Sequence, residues 1–299
     1  MRDVEITRPE KVLFPDDAIT KQALADYYAR AAETMLPHVR DRPLTLQRFP
    51  NGIGQKGFFQ KEVSKHFPEW VERAAVRKRD GSSFAYPLAN NAETLVYLAG
   101  QAAITLHVWP ARVDDLTHPD RLIFDLDPPS EDRFPVVRST ALIVRSVLEE
   151  VGLVPFAMTT GSKGLHVVAP IDRGDAFDDV YDFAEDVGKV VLRRDPDCCT
   201  TEFRKANREG RLFFDTRRNA YGQHAVAPYS VRPKPGAPIA TPLEWDEVED
   251  RKLTATRYTI RTIFDRLEST DDPWRGISRR ARSLDGPRRK LSELLASDV

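Results

Sequence analysis

The sequence predicts an α+β fold, and three features point to it. The apolar run Arg121-Leu-Ile-Phe-Asp125-Leu-Asp127 ends at Pro128-Pro129 and reads as a strand, because proline cannot donate to a sheet ladder. A helix-periodic segment follows, with Val137, Ala141, Val144, Leu148 and Val151 on one face and Gly152 to close it. Two short strands, over residues 154–159 and 165–170, then flank the turn Gly161-Ser-Lys-Gly164. A β-α-β-β succession makes an α+β module rather than a long doubly wound sheet.

The other elements follow in order. Thr20 reads as a helix N-cap, with Ala23, Leu24, Tyr27, Tyr28, Ala31, Ala32 and Met35 recurring at helical spacing. Residues 43–49 alternate like a strand and end at a Pro50-Asn-Gly52 turn. Residues 57–61 form a second strand, and Arg79-Asp-Gly-Ser-Ser83 suits a hairpin loop. The apolar stretch 91–106 reads as one helix, with Pro110 soon after. Past the β-α-β-β module, 180–192 reads as a helix and 212–215 as a short strand. The proline-rich run 228–238 is too short to link independent domains, and two helices are expected near 242–251 and 256–267. The chain thus reads as one domain: an N-terminal α/β lobe over about 1–110, a second lobe over about 111–270, and a basic, loosely packed tail over 271–299.

At 299 residues, with 41% hydrophobic and 30% charged residues, the chain can bury a substantial core. The net charge of −1 conceals segregation. Residues 40–80 hold ten basic and five acidic residues, residues 275–290 seven basic and one acidic, and residues 172–186 seven acidic and one basic. Basic faces beside acidic ones are compatible with nucleic acid on one side, although any single run by itself reads as ordinary charged surface. Cys198 and Cys199 are adjacent, so they neither bridge readily nor make a Cys-rich zinc site. A reducing compartment fits them. With no apolar leader and no stretch approaching a membrane span, a cytoplasmic location is expected.

Two segments carry chemistry. Strand residues i and i+2 share a face, so Asp125 and Asp127 project together while Phe124 and Leu126 face the core. Paired carboxylates repel unless a cation sits between them, and hard oxygen donors suit Mg²⁺ or Mn²⁺. Spacing alone also allows a solvated strand end. The second segment is Thr159-Thr-Gly-Ser-Lys-Gly-Leu-His166. Its glycines let backbone N–H groups turn outward, and Thr160, Ser162, Lys163 and His166 add donors of the kind a triphosphate needs. It is not a P-loop, and by itself it reads as a polar β-turn.

Asp125-Leu-Asp127, Ser162-Lys-Gly-Leu-His166, Phe214-Asp215 and Ala227-Pro-Tyr-Ser-Val-Arg-Pro-Lys234 occur in the order seen in the archaeo-eukaryotic primase-polymerases. More narrowly, the chain resembles the polymerase domain of bacterial ligase D, the end-joining repair enzyme, or its free-standing relatives, from Thr7 to about Leu267. The resemblance implies a primase-like fold, with an RRM-like β-α-β-β catalytic module packed with an N-terminal α/β lobe. It implies two-metal nucleotidyl transfer, with Asp125, Asp127 and Asp215 as metal ligands and Mn²⁺ preferred over Mg²⁺. Thr160, Ser162, Lys163, His166 and Arg232 would hold the triphosphate, and His107 would lie beside the incoming sugar in a family that favours ribonucleotides. Thr160 stands where the family more often has Ser. From spacing alone, His107 reads equally as a packed imidazole.

The N-terminal third resembles the part that grips a recessed 5′-phosphate across a gap, through Lys11, Lys21 and Lys61. Phe58 and Phe59 resemble an aromatic pair that stacks on template bases, a sequence-tolerant contact. Since adjacent strand residues face opposite ways, at most one of the two rings would be core. Arg8 stands where the family commonly has Asn, and Gln47 where lysine is common, with Arg48 next door to compensate. The implied partners are DNA gaps or ends bearing a 5′-phosphate, nucleoside triphosphates, and Ku with a DNA ligase, in the bacterial cytoplasm at the nucleoid and away from membranes. A free-standing short-gap polymerase, a two-metal nuclease or phosphodiesterase, and a non-enzymatic DNA-end-binding module are the rival readings.

Overall fold

Thr20 opens the first long helix, its hydroxyl accepting the Ala23 N–H at 3.1 Å, so one of the N–H groups left over at a helix start is satisfied locally. The computed structural model describes residues 3–77 and 81–297. The chain forms two compact units. The first comprises the residues up to Leu116 together with His224–Thr241 and Tyr258–Asp271; the second comprises Thr117–Gln223, Pro242–Arg257 and the residues from Asp272 on.

Along the chain, the first unit holds β1 (Val12–Phe14), β2 (Ile19–Thr20), α1 (Lys21–Val39), β3 (Leu44–Arg48), β4 (Phe58–Gln60), β5 (Arg73–Arg77), β6 (Ser83–Pro87), α2 (Ala92–Gly100) and β7 (Ala103–Val108). The second holds β8 (Arg121–Asp127), α3 (Phe134–Val151), β9 (Phe156–Thr159), β10 (Leu165–Pro170), α4 (Phe177–Arg194), β11 (Cys199–Thr200) and β12 (Leu212–Asp215). Later come β13 (Ala225–Val226) and α6 (Ile263–Ser269) in the first unit, and β14 (Pro242–Leu243), α5 (Trp245–Glu249) and α7 (Asp285–Ser297) in the second.

In the first unit a four-stranded sheet runs β13-β7-β3-β4. Helix α1 buries Leu24, Tyr27, Tyr28, Ala31, Ala32 and Met35, as their spacing requires, and packs on α2. A buried tyrosine needs a partner for its hydroxyl. Tyr28 donates to the Ile104 carbonyl and Tyr27 to the Tyr229 carbonyl, both at 2.7 Å. The helix expected over 91–106 is two elements. Helix α2 stops at Gly100, Ala102 takes a left-handed φ of 56°, and the chain re-enters as strand β7, every residue of which is buried. A fully apolar run shows no period-2 alternation, so helix and buried strand look alike in sequence. His107 consequently stands on a strand, not at a helix end. The hairpin around 79–83 corresponds to the β5–β6 pair, with Arg77 opposite Ser83; residues 79 and 80 lie outside the described residues.

In the second unit the β-α-β-β module appears as β8-α3-β9-β10, inside a six-stranded sheet ordered β11-β12-β8-β10-β9-β14. Helices α3 and α4 pack on each other and on the sheet. Phe124 and Leu126 are wholly buried, as the alternation predicts. The later segments differ from expectation. Within 242–251, Pro242 and Leu243 form an edge strand on β9 and the helix is only Trp245–Glu249; within 256–267, the helix begins at Ile263. The stretch after Asp271 is no loosely packed tail. Trp274, Leu284 and Leu291 are buried, the Trp274 indole donates to the Ala157 carbonyl at 3.0 Å, and α7 packs on α3 and α4. Four well-spaced apolar anchors, Ile277 among them, hold this stretch despite its low apolar content.

Trp274→Ala should therefore lower stability by about 3–5 kcal/mol, the usual cost of emptying a buried aromatic site. Urea unfolding of the full chain measures this, and an unchanged midpoint would show the anchor to be dispensable.

Candidate active site

The register of the second sheet builds the site. Strand β10 places His166 opposite Asp125, and β12 places Asp215 opposite Asp125 from the other side. Directly opposed residues of antiparallel strands share a face. His166, Asp125 and Asp215 thus form a row across three strands, with Asp127 two residues further along β8. On the opposite face, the rings of Phe124 and Phe214 lie 5.4 Å apart and seal the floor.

Three cations answer the three carboxylates. The Arg218 guanidinium lies 3.0 Å from Asp125 Oδ2 and 3.5 Å from Asp215 Oδ2. Lys163 Nζ lies 3.0 Å from Asp127 Oδ1, and Arg208 Nη1 lies 3.6 Å from Asp127 Oδ2. His166 Nε2 lies 3.4 Å from Asp125 Oδ1. Burial alone would push the Asp125 carboxyl up, but His166 and then Arg218 outweigh it and hold the group well below the usual carboxylate range. Asp215 is pushed up, by burial first and by the Asp125 charge, against the opposing pull of Arg218. Burial would lower the Arg218 pKa, and its two carboxylates more than offset that.

The segment after β12 is braced from beneath. Asn219 is fully buried; its side-chain oxygen accepts the Ile123 N–H at 2.8 Å, and its amide donates to the carbonyls of Ile123 and Thr216 at 2.7 and 2.8 Å. One side chain therefore acts as an added strand residue beside β8 and fixes the turn that carries Arg218. The Arg217 N–H donates to Asp215 Oδ1 at 2.9 Å, and the Thr216 hydroxyl donates to the Glu185 carboxylate on α4.

The turn between β9 and β10 lies against the same strand. Gly161 has a φ of 63°, and a Cβ at Gly164 would run into the Leu126 carbonyl oxygen, so the turn can sit this close only with glycine there. The Thr160 hydroxyl donates to the Gly164 carbonyl at 3.1 Å and accepts the Gly164 N–H at 3.2 Å. It holds the turn's shape, while Ser162 and Lys163 occupy the tip. Lys163 also donates to the Pro128 carbonyl at 2.7 Å.

The remaining candidates belong to the first unit. The ring of His107 on β7 lies 5.7 Å from that of Phe59 and 5.1 Å from that of His224. Phe58 and Phe59 are 47% and 57% exposed, so neither ring is core, within the expectation that at most one would be. Strand β4 is an edge of its sheet, so both rings are left solvated. Arg48 donates to the Gln101 carbonyl at 2.8 Å and to Gln60 at 2.7 Å, and its guanidinium lies 5.5 Å from the Phe58 centroid. Lys11 donates to Asn51 at 3.3 Å and Lys21 to the Thr7 carbonyl at 2.5 Å. The Lys21 pKa is lowered by burial first and then by the nearby charges of Lys11 and Arg8, against the opposing pull of Glu10. Lys61 is exposed just past β4. Arg232 is fixed by its backbone N–H to the Pro238 carbonyl at 2.8 Å.

Sequence reasoning missed Arg218, Arg208, Asn219 and His224. Arg218 could have been found, since two arginines follow directly on Asp215 at the end of an apolar strand. Asn219 sends no signal in sequence, because two of its three backbone partners belong to Ile123, 96 residues away. Among the described residues, no three His, Cys, Asp or Glu side chains stand together as a ready-made metal cage. The donor set nevertheless fits a hard divalent ion: three carboxylates on neighbouring strands, already served by a guanidinium and an ammonium as stand-in cations. Among the described residues, no helix is long and apolar enough to cross a membrane.

Residues 20–274 match the family model of the LigD primase-polymerase domain. The chain is 32% identical over 271 residues to the multifunctional non-homologous end joining protein LigD of Mycolicibacterium smegmatis, covering 90% of this chain and 35% of that protein. It is 36% identical over 263 residues to the multifunctional non-homologous end joining DNA repair protein LigD of Mycobacterium tuberculosis, covering 85% and 34%. The chain thus spans about a third of the length of these curated relatives. The solved structure of the polymerase domain of Mycobacterium tuberculosis ligase D in complex with DNA superposes with a TM-score of 0.87 at 33% identity, covering 94% of this chain and all of that one.

Replacing Asn219 by Ala should destabilise the second unit by about 1–3 kcal/mol for each buried backbone group left without a partner. Asn219→Asp should not restore stability, because it loses both donated bonds. Denaturant unfolding of the two variants measures this; equal stability of Asn219→Asp and the parent would show that the donated bonds contribute nothing.

Proposed function

The chain belongs to the LigD primase-polymerase domain family, and from that premise we propose that it fills gaps and extends strand ends at DNA double-strand breaks during non-homologous end joining, favouring ribonucleotides. Membership makes it a template-directed nucleotidyltransferase with a primase-like fold. The observation that carries the proposal is the row His166–Asp125–Asp215, with Asp127 and Lys163 beside it. A site that collects this much negative charge on rigid strands, and edges it with a glycine-rich basic turn, suits a metal-bound triphosphate.

Polymerase domains of this family use divalent metal ions; here Asp125, Asp127 and Asp215 would hold them, and we propose Mn²⁺ as the preferred ion over Mg²⁺. The chemistry such ions supply when bound is acidification of a strand's 3′-hydroxyl and neutralisation of the charge growing on pyrophosphate. Lys163, His166 and the Ser162 hydroxyl hold the triphosphate, and Thr160 keeps their turn in shape; the family resemblance assigns Arg232 to the phosphates and His107 to the sugar. The 3′-oxygen attacks the α-phosphorus and pyrophosphate leaves.

In the first unit, Lys11, Lys21 and Arg8 form the pocket for a downstream 5′-phosphate, with Arg48 and Lys61 as further basic contacts. Arg8 stands where the family commonly has Asn, and Arg48 stands next to Gln47, where the family commonly has lysine. Phe58 and Phe59 stack on template bases; two solvated rings side by side are costly unless something covers them. Ku and a DNA ligase are the expected protein partners, at the nucleoid in the cytoplasm.

Extension of a one-nucleotide gap, with and without the downstream 5′-phosphate and with ribo- and deoxynucleoside triphosphates, tests the reading. Strand cleavage of labelled DNA without nucleotides would favour a nuclease instead. Asp127→Ala should abolish extension while leaving DNA binding largely intact, and full activity in that variant would refute the metal assignment. It is a cleaner variant than Asp125→Ala, because the Asp127 side chain is 30% exposed and that of Asp125 only 13%. Lys11→Ala should weaken binding to 5′-phosphorylated gaps and reduce the slope of log K against log salt by about one. An unchanged slope would exclude a phosphate contact.

A further inference from the structure

Phe203 is 58% exposed, yet its surroundings hold it in place. It sits in the segment between β11 and β12, and three contacts fix it. The Arg217 guanidinium lies 4.0 Å from its ring centroid. The Phe213 ring meets it edge-on at 6.4 Å. Arg208 donates to the Glu202 carbonyl at 3.0 Å and to the Phe203 carbonyl at 2.9 Å, with its own guanidinium 3.9 Å from the Phe213 centroid. Both halves of the Phe203–Arg217 pair are tied to the carboxylates. Arg208 joins the Phe203 backbone to Asp127 at 3.6 Å, and the Arg217 N–H is bonded to Asp215 at 2.9 Å. From Thr200 to Arg218 the chain carries six basic and three acidic residues.

From this we infer that Phe203 and Arg217 form a stacking platform for the 3′-terminal bases of the strand being extended. The inference rests on the polymerase reading and adds a subsite to it. A fixed, solvated phenyl ring backed by a guanidinium is what an unpaired base stacks on, because every base has a π-face and arginine serves both the ring and the phosphate beside it. The position selects the strand. A platform bolted to Asp127 through one arginine and to Asp215 through one hydrogen bond lies along the approach to the carboxylates, and the strand whose end must reach them is the one that reacts. The template-stacking pair, Phe58 and Phe59, lies on a different compact unit, so the two strands would have separate aromatic supports. The plain alternative is that Phe203 merely shields Phe213.

The test uses the full chain and an overhang DNA with 2-aminopurine as its 3′-terminal nucleotide, in EDTA without nucleotides so that no reaction occurs. Stacking quenches 2-aminopurine. The expected result is quenching on binding by the parent, lost in Phe203→Ala together with a roughly tenfold loss of affinity for the 3′ overhang, and both restored in Phe203→Trp. Binding of a 5′-phosphorylated gap should change far less. Equal quenching and affinity in the parent and Phe203→Ala would overturn the inference, as would quenching that depends on Phe203 only when the probe is in the template strand. A lowered melting temperature of Phe203→Ala with binding unchanged would assign the ring to shielding Phe213, and so also overturn it. Gap extension by the parent, run in parallel, keeps the two proposals apart: the absence of any extension would sink the polymerase reading, whereas extension without Phe203-dependent quenching would sink only this one.

Discussion

Negative charge gathered on adjacent strands is the constraint from which the rest of the second unit follows. Asp125 cannot be opposite Asp215, with Asp127 two residues along, unless positive charge is supplied nearby, because like charges a few ångströms apart in a partly buried site repel strongly. Arg218 bridges two of the carboxylates, and Lys163 and Arg208 serve the third. The geometry is held by groups that carry no chemistry themselves: the buried Asn219 amide against β8, the Thr216–Glu185 bond to α4, and the glycine at 164 that lets the turn approach the Leu126 carbonyl. Placing the reactive groups on strands, with their supports underneath, gives the precision that loops do not.

The charge segregation seen in the sequence has two different explanations. The basic stretch after residue 274 does not form a detached arm. Arg288 pairs with Asp175 at 2.9 Å, and Arg193 on α4 donates to the Leu295 carbonyl at 3.0 Å, so part of that stretch neutralises and clamps the acidic α4 region. The N-terminal basic residues behave otherwise. Burial first, and then the charges of Lys11 and Arg8, depress the Lys21 pKa, against the opposing pull of Glu10. The first pattern is structural cohesion; the second is a concentration of positive charge in the first unit.

The same distinction separates the solvated aromatics from ordinary surface. Phe58, Phe59 and Phe203 are the exposed phenyl rings among the described residues, and each has a cation or imidazole against it: Arg48 for Phe58, His107 and His224 for Phe59, Arg217 for Phe203. These rings face water and are held in place by polar partners rather than by a hydrophobic core.

Much of this was legible in the residues. Period and punctuation revealed α1, the β8-α3-β9-β10 module and β12, because a side chain's face is set by its neighbours in the chain. The Asp-x-Asp pair and the glycine turn were visible for the same reason, and the order of the motifs identified the family. The α2–β7 break was not visible, because a wholly apolar run has no phase to read. Nor was the ordered path after residue 271, held by a few widely spaced anchors. The partnership of Asp125 with His166 and Asp215, and the bracing by Asn219, arose only when strands distant in the chain came into register. Sequence carries local periodicity; which carboxylate meets which cation depends on hydrogen-bonded pairings between distant segments, and only the folded sheet decides those.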